Sequence, residues 1–270
     1  MTTPTHAVAL EDAAEQLPGA AIAKAALTRA GTQCPRTAQS RRAPALLNSR
    51  HIDNVQERTT MDTSSEIDQP GDRLLERLDA KAKQVLFTGA RTANSFADTP
   101  VTDAELSDIW ELAKWAPTSA NSQPLRVLYV RPGEARDRLV KHMDERNRAK
   151  TASAPAVAVL AMDTQFHEYL PTVLPFRPEL KDVFAENDAR RTATATFNAT
   201  LQAGYVILAV RAHGLAAGPM GGFDSAGIDA EFFPDGRYRS ILVVNIGHPG
   251  KNPWFGRLPR LNHEDVVQWA

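Results

Sequence analysis

Four separated segments of the chain carry residue types that bind rather than react. They are Arg91-Thr92-Ala93-Asn94-Ser95-Phe96, Ala116-Pro117-Thr118-Ser119-Ala120-Asn121-Ser122-Gln123-Pro124, Gly218-Pro219-Met220-Gly221-Gly222-Phe223-Asp224 and Arg257-Leu258-Pro259-Arg260. Arginine, hydroxyl and amide side chains are hydrogen-bond donors, and glycine lets a backbone N–H approach a ligand closely because it has no Cβ. Each segment alone has a plainer reading. R-T-x-N after a helix is also a turn, P-T-S-A-N-S-Q-P a polar loop, and R-L-P-R a tail contact. A simple core would not call for all of them.

Signatures of other chemistries are missing. No G-x-x-x-x-G-K-[ST] is present for nucleotide triphosphates, and no G-x-G-x-x-G follows a strand to hold a dinucleotide. G-x-S-x-G is absent, and His263-Glu264 lacks the second histidine of a zincin helix. The one cysteine, Cys34, allows neither an internal disulfide nor a Cys-based metal site and suits a reducing compartment. His142, His167, His213 and His248 stand singly and read as surface or capping groups. Hydrolase and metalloenzyme readings lose ground, and no metal is expected.

The bulk numbers are those of an ordinary globular chain: 270 residues, 43% hydrophobic, 23% charged, formal net charge −1. That charge suggests neither nucleic acid nor a membrane surface as partner. No stretch approaches the roughly 18 apolar residues of a membrane span. The N-terminus lacks the basic-then-apolar pattern of a secretory signal, and a cytoplasmic location is expected.

The elements that must hold the four segments begin after Pro70-Gly71. Leu74, Leu75, Leu78, Ala82, Val85 and Leu86 predict an amphipathic helix to about Phe87. Thr102 to Glu105 forms a capping box for a second helix with Leu106, Ile109, Trp110 and Ala113 on one face, stopped by Pro117. The pair Trp110 and Trp115 reads as core or interface rather than as a stacking platform. Arg126–Arg131 predicts a strand, 134–143 a helix, and the continuously apolar Ala156–Met162 a central strand. Prolines 171, 175 and 178 exclude a long helix in 163–190, which reads as a surface excursion or lid. A long helix follows from about Ala189 to Arg211, apolar at Phe197, Leu201, Tyr205, Leu208 and Ala209, and His213-Gly214 ends it. A short strand leads into Gly218, Asp224 caps a short helix, and Ser240–Gly247 is another buried strand. The class is α+β, helices on a sheet of about four or five strands.

Residues 1–70 differ. No acidic residue lies between Glu15 and Asp53, while Lys24, Arg29, Arg36, Arg41, Arg42 and Arg50 are basic, and prolines 18, 35 and 44 interrupt helices. Such a stretch cannot offset its ordering entropy and is expected to be disordered. It reads as a basic targeting or nucleic-acid-binding tail, as a solvated extension, or as sequence upstream of a true start at Met61. Residues 71–270 form the expected domain.

Together, in this order, the motifs FTGARTANSF, KWAPTSANSQP, LQAGYVILAVRAHGLAAGPMGGFD and NIGHPG…RLPRL resemble the nitroreductase family over roughly residues 75–270. The likeness is to the subgroup containing the malonic semialdehyde reductase of pyrimidine degradation (the Rut pathway). It implies a nitroreductase-like fold, a central, mostly antiparallel sheet of about five strands flanked by helices. It also implies a homodimer with FMN at the subunit interface and NADH or NADPH as electron donor.

By that resemblance Arg91, Thr92 and Arg257 fall on the FMN phosphate side, and Asn94 falls where many relatives place a Lys or Arg beside the flavin pyrimidine. Thr118, Ser119 and Asn121 match the loop that reaches the partner's flavin. Asn147, eight residues before Pro155, matches an asparagine at the ring edge, and Pro219, Met220, Gly221 and Gly222 match the turn near N5. Gly221 stands where many relatives have Glu, which widens the pocket. Plainer roles are a surface ion pair for Arg257, a helix cap for Asn147, and a tight turn for Gly221 and Gly222. The implied activity is NAD(P)H-dependent reduction of malonic semialdehyde to 3-hydroxypropionate, with broad nitroaromatic or quinone reduction as the alternative. A flavin-binding module without turnover is the reading from a different class. No catalytic acid or nucleophile is assigned.

Overall fold

Strand β2 (Ala156–Asp163) is buried along its whole length. Its residues point alternately to two cores: Ala156, Ala158, Leu160 and Met162 join one cluster, Val157 and Val159 the other. A strand covered on both faces must be apolar throughout, hence the unbroken run. β2 pairs antiparallel with β1 (Leu125–Val130) and with β4 (Tyr238–Gly247), and β4 pairs antiparallel with β3 (Ala216–Met220). The computed structural model describes residues 76–270, so the readings of residues 1–70 and of Met61, with Leu74 and Leu75, lie outside the described residues. The sheet has four strands in the order β1-β2-β4-β3, within the four or five expected, all antiparallel.

Nine helices are present among the described residues. α1 (Ala80–Lys83) runs on as a π-helical stretch over Gln84–Thr88, so the helix expected to Phe87 changes its winding. α2 (Asp103–Ala113) starts on the expected box: Thr102 Oγ1 accepts from the Glu105 N–H (3.2 Å), and the Glu105 carboxylate accepts from the Thr102 N–H (2.7 Å). α3 (Glu134–Lys141) is shorter than expected, and α4 (Glu145–Ser153) was not foreseen. Within 163–190 lie a 3-10 turn over Phe166–Tyr169, α5 (Leu170–Val173) and α6 (Leu180–Ala185). α7 (Asp188–Ala212), α8 (Ser225–Phe232) and α9 (His263–Val266) complete the set. No helix of the described residues is long and apolar enough to cross a membrane.

Three expectations need correction. The excursion 163–190 is anchored, with Phe166, Leu170 and Phe184 in the core and Arg191 donating to the carbonyls of Thr164, Phe184 and Ala185. His167 is buried within it, and burial together with Arg191 lowers its pKa, so it is no surface residue. Phe197, Leu201 and Tyr205 do not face the core: α7 turns Ala195, Ala199, Ala203 and Val206 inward and leaves those larger side chains exposed. Small residues let the helix sit close against α2 and the sheet.

Arg136 fixes α4 against the rest. The residue is 2% exposed, and its guanidinium donates to the carbonyls of Val130 (2.5 Å), Thr151 (2.8 Å) and Ala154 (2.6 Å). Burial and the nearby Arg131 pull its pKa down to about 10, which keeps it charged at neutral pH. Arg136→Met leaves three buried carbonyls unpaired and is expected to cost about 3 kcal/mol in urea unfolding. A loss below about 1 kcal/mol would show that α4 is held by other contacts.

Candidate functional site

The segment 93–97 is irregular, yet four backbone hydrogen bonds tie it to β3 and to the stretch after β4. Ala93 N–H donates to Ala217 on β3 (3.1 Å), Asn94 N–H to Pro253 (2.9 Å) and Ala97 N–H to His248 (3.0 Å), while Gly250 N–H donates to Ser95 (3.0 Å). Glycine is required where these chains touch. A Cβ on Gly218 would stand 2.8 Å from the Ala93 carbonyl oxygen, and one on Gly250 2.7 Å from the Phe96 backbone.

This stitching brings Arg91, Thr92, Asn94 and Arg257 to one cleft of about 190 Å³, together with Phe255 and Arg260. Arg91 donates to the Phe255 carbonyl (2.6 Å) and Arg257 to that of Thr88 (2.6 Å), so each arginine crosses to the opposite wall. Neither makes an ion pair among the described residues, and the surface carboxylate considered for Arg257 is not found there. Arg260 donates only to its own neighbours, Leu258 and Pro259.

A second group forms around the Gly218–Gly222 turn. The Gly222 carbonyl accepts from Asn147 Nδ2 (2.8 Å) and from the Asp144 N–H (3.2 Å). A Cβ on Gly222 would lie 2.5 Å from Asp144 Oδ2, whereas one on Gly221 meets nothing within 4 Å. Pro219 pairs with Val244 in the sheet. Met220 is buried, its sulfur 3.8 Å from both Thr151 Oγ1 and Asn245 Nδ2.

Lys150 joins the two groups, with Nζ 3.4 Å from Asn94 Oδ1. Burial lowers its pKa. Sequence reasoning missed this residue, although a signal existed: Lys150 follows Asn147 by three residues, which on a helix is the same face. Asp144 was also missed.

Thr118, Ser119 and Asn121 are not drawn into either group within the chain. Ser119 N–H donates to Asn198 Oδ1 on α7 (2.8 Å), Asn121 Nδ2 to the Val173 carbonyl on α5 (2.7 Å), and Thr118 Oγ1 accepts from the Gln123 N–H (3.2 Å). Ala120, Asn121 and Gln123 all have positive φ (54°, 47° and 42°), a conformation that costs non-glycine residues energy and clusters at functional loops.

The nitroreductase family model matches residues 88–248. A Streptomyces coelicolor protein named "Putative NADH dehydrogenase/NAD(P)H nitroreductase" is 64% identical over 196 residues, 73% of this chain and 97% of its own. A Rhodopseudomonas palustris protein of the same name is 46% identical over 183 residues, 68% of this chain and 93% of its own. Among solved structures, a nitroreductase of Exiguobacterium sibiricum in complex with FMN shares the fold, with a TM-score of 0.64 at 19% identity. That match covers 72% of this chain and 99% of the other.

The two adjacent glycines have unequal surroundings. Gly221→Ala is expected to leave stability within about 0.5 kcal/mol of the parent. Gly222→Ala displaces Asp144 and Asn147 and is expected to cost about 1–2 kcal/mol in thermal or urea unfolding. Equal effects at both positions would refute this packing.

Proposed function

The chain belongs to the nitroreductase family, and from that premise we propose that it is an FMN-dependent NAD(P)H oxidoreductase working as a homodimer. The observation that carries the proposal is the cleft of Arg91, Arg257 and Arg260, whose guanidinium groups have only backbone carbonyls as partners among the described residues. Converging cations without a carboxylate suit a phosphate dianion, the terminal group of FMN. Thr92 adds a hydroxyl at the same wall. Bound FMN would supply the hydride chemistry, accepting from the reduced nicotinamide and donating to a second substrate.

The chain's own residues then bind and orient. Asn94 carries no charge where many relatives carry Lys or Arg, and Lys150, bonded to Asn94, supplies that cation from a different element. Gly221 and Gly222 give the turn open space and a close backbone approach. Asn147 holds the Gly222 carbonyl with Nδ2 and keeps Oδ1 for the ring edge. Thr118, Ser119 and Asn121 would serve the partner's flavin. The exposed apolar residues Phe197, Leu201, Tyr205 and Trp115 support a second copy of the chain as the cover of that face. No group is assigned as proton donor.

For the acceptor, the motif likeness to the malonic semialdehyde reductase subgroup supports reduction of that aldehyde to 3-hydroxypropionate. The open space over Gly221 supports the second reading, bulkier nitroaromatics or quinones.

The proposal is tested by the absorbance of the purified chain with FMN, before and after anaerobic NADPH and then each acceptor. Flavin peaks that bleach with NADPH and return with malonic semialdehyde support the first acceptor; return with a nitroaromatic or quinone alone supports the second. Bleaching without return to any acceptor would leave a flavin protein of another activity. A chain that cannot take up FMN refutes the proposal.

Lys150→Met gives a separate check. It is expected to weaken FMN binding by about ten- to a hundredfold near neutral pH, the range for a hydrogen bond to a charged group. Burial favours the neutral amine, so the pKa of Lys150 lies below the ordinary lysine value. FMN affinity of the parent should therefore fall as pH rises through that lowered pKa, and the variant should lack this alkaline limb in fluorescence titration.

A further inference from the structure

Asp144 occupies the N-cap position of α4, where an aspartate ordinarily accepts from the N–H two or three residues on. Its carboxylate makes no such bond. It lies instead against Gly222, so close that a Cβ there would stand 2.5 Å from Oδ2. The basic side chains nearby are engaged elsewhere: Arg148 Nε donates to the Met143 carbonyl (2.9 Å), Lys150 reaches Asn94, and His142 faces Asp224 at 3.9 Å. Asp144 is exposed, and among the described residues no Lys, Arg or His pairs with it within ion-pair distance, so its charge is left to act on whatever lies beside Gly222.

We propose that Asp144 sets the charge preference of the acceptor site, admitting uncharged electron acceptors and disfavouring those that carry a carboxylate. The inference rests on the reading that the Pro219–Gly222 turn lies against the flavin, which places this carboxylate beside any molecule that takes the hydride. An unpaired negative charge there repels an anionic acceptor through partly solvated surroundings, an effect that salt screens. The reduced nicotinamide ring is uncharged and meets no such barrier. The substrate class is therefore neutral nitroaromatics, quinones and uncharged aldehydes. Malonic semialdehyde, an anion at neutral pH, falls on the disfavoured side, so this inference favours the second of the two acceptor readings above.

The test uses the full chain loaded with FMN and two readouts. One is the perturbation of flavin absorbance on titration with benzoate or benzamide, dead-end ligands that differ in charge. The other is kcat/KM with 4-nitrobenzoate and 4-nitrobenzamide. At low salt the neutral member of each pair is expected to be favoured by about tenfold, the factor that ~1.4 kcal/mol represents. Asp144→Asn should remove most of that gap by strengthening the anionic member, Asp144→Glu should keep it, and Glu145→Gln, which neutralises the next exposed carboxylate, should leave it unchanged. The parent's gap should narrow as salt is raised. FMN uptake with a gap that Asp144→Asn does not move, or that Glu145→Gln moves equally, overturns this inference alone. A chain that takes up no FMN overturns the reading beneath it and this inference together.

Discussion

The unpaired edge of β3 is the constraint on which the rest of this architecture depends. A sheet edge presents a row of backbone donors and acceptors that must find partners. Here the partner is not a strand but the irregular segment 93–97, which bonds to Ala217 on one side and to the stretch after β4, at His248, Ser95–Gly250 and Pro253, on the other. The interlock works only because Gly218 and Gly250 leave room for carbonyl and backbone atoms. Covering an edge in this way places residues far apart in sequence, Arg91 and Arg257, across one cleft. The cleft is thus a by-product of satisfying the edge, and its positions were open to be filled by cations.

A second constraint sets the outer faces. Both sides of β2 are buried, so both must be covered, and α7 covers one of them with alanines that allow close approach. The larger apolar side chains of α7 then have only the outside to occupy. Beyond the buried Pro253 the chain is exposed throughout, and it too carries apolar residues: Phe255, Leu258, Leu261, Val266 and Trp269. β1, with a strand neighbour on one side only, is the open edge of the sheet. An exposed apolar helix face, an apolar tail and an unpaired strand in one chain are complementary needs, and a second copy of the chain can meet them all.

Sequence patterns reveal what the core dictates and hide what single contacts dictate. The strands β2 and β4, the capping box of α2 and the extent of α7 are legible because burial and capping leave periodic or local marks. α4 is not legible: of ERNRAKTAS only Thr151 is buried, so no apolar stripe announces the helix. Four segments stand out by residue type, and the structure brings those of Arg91 and Arg257 together. It does not bring the 118–121 loop to them within one chain. Lys150 escaped notice because its partner, Asn94, is distant in sequence and bound by a single contact. The orientation of α7 was misread because large apolar residues outweigh alanines in any hydrophobic pattern, whereas close packing reverses their roles.

α4 shows how an element without a core face of its own can still be fixed. Its C-terminal carbonyls, at Thr151 and Ala154, are taken by the buried Arg136, a cation at the negative end of the helix. Its N-terminal end carries Asp144 and Glu145, anions at the positive end. The helix field therefore offsets part of what Asp144 lacks in a cationic partner, so an unpaired carboxylate there is no defect of stability. Lys150 sits at the same helix's other end, against Asn94. Asp144 and Lys150 are each held by their own helix terminus, independently of one another, and the arginine cleft adds further cations on the Lys150 side. A ligand lying along this helix would meet cations at one extremity and a carboxylate at the other. That gradient suits a long molecule with an anionic tail and a neutral reacting head, which is the shape of the proposed cofactor's demand on the site.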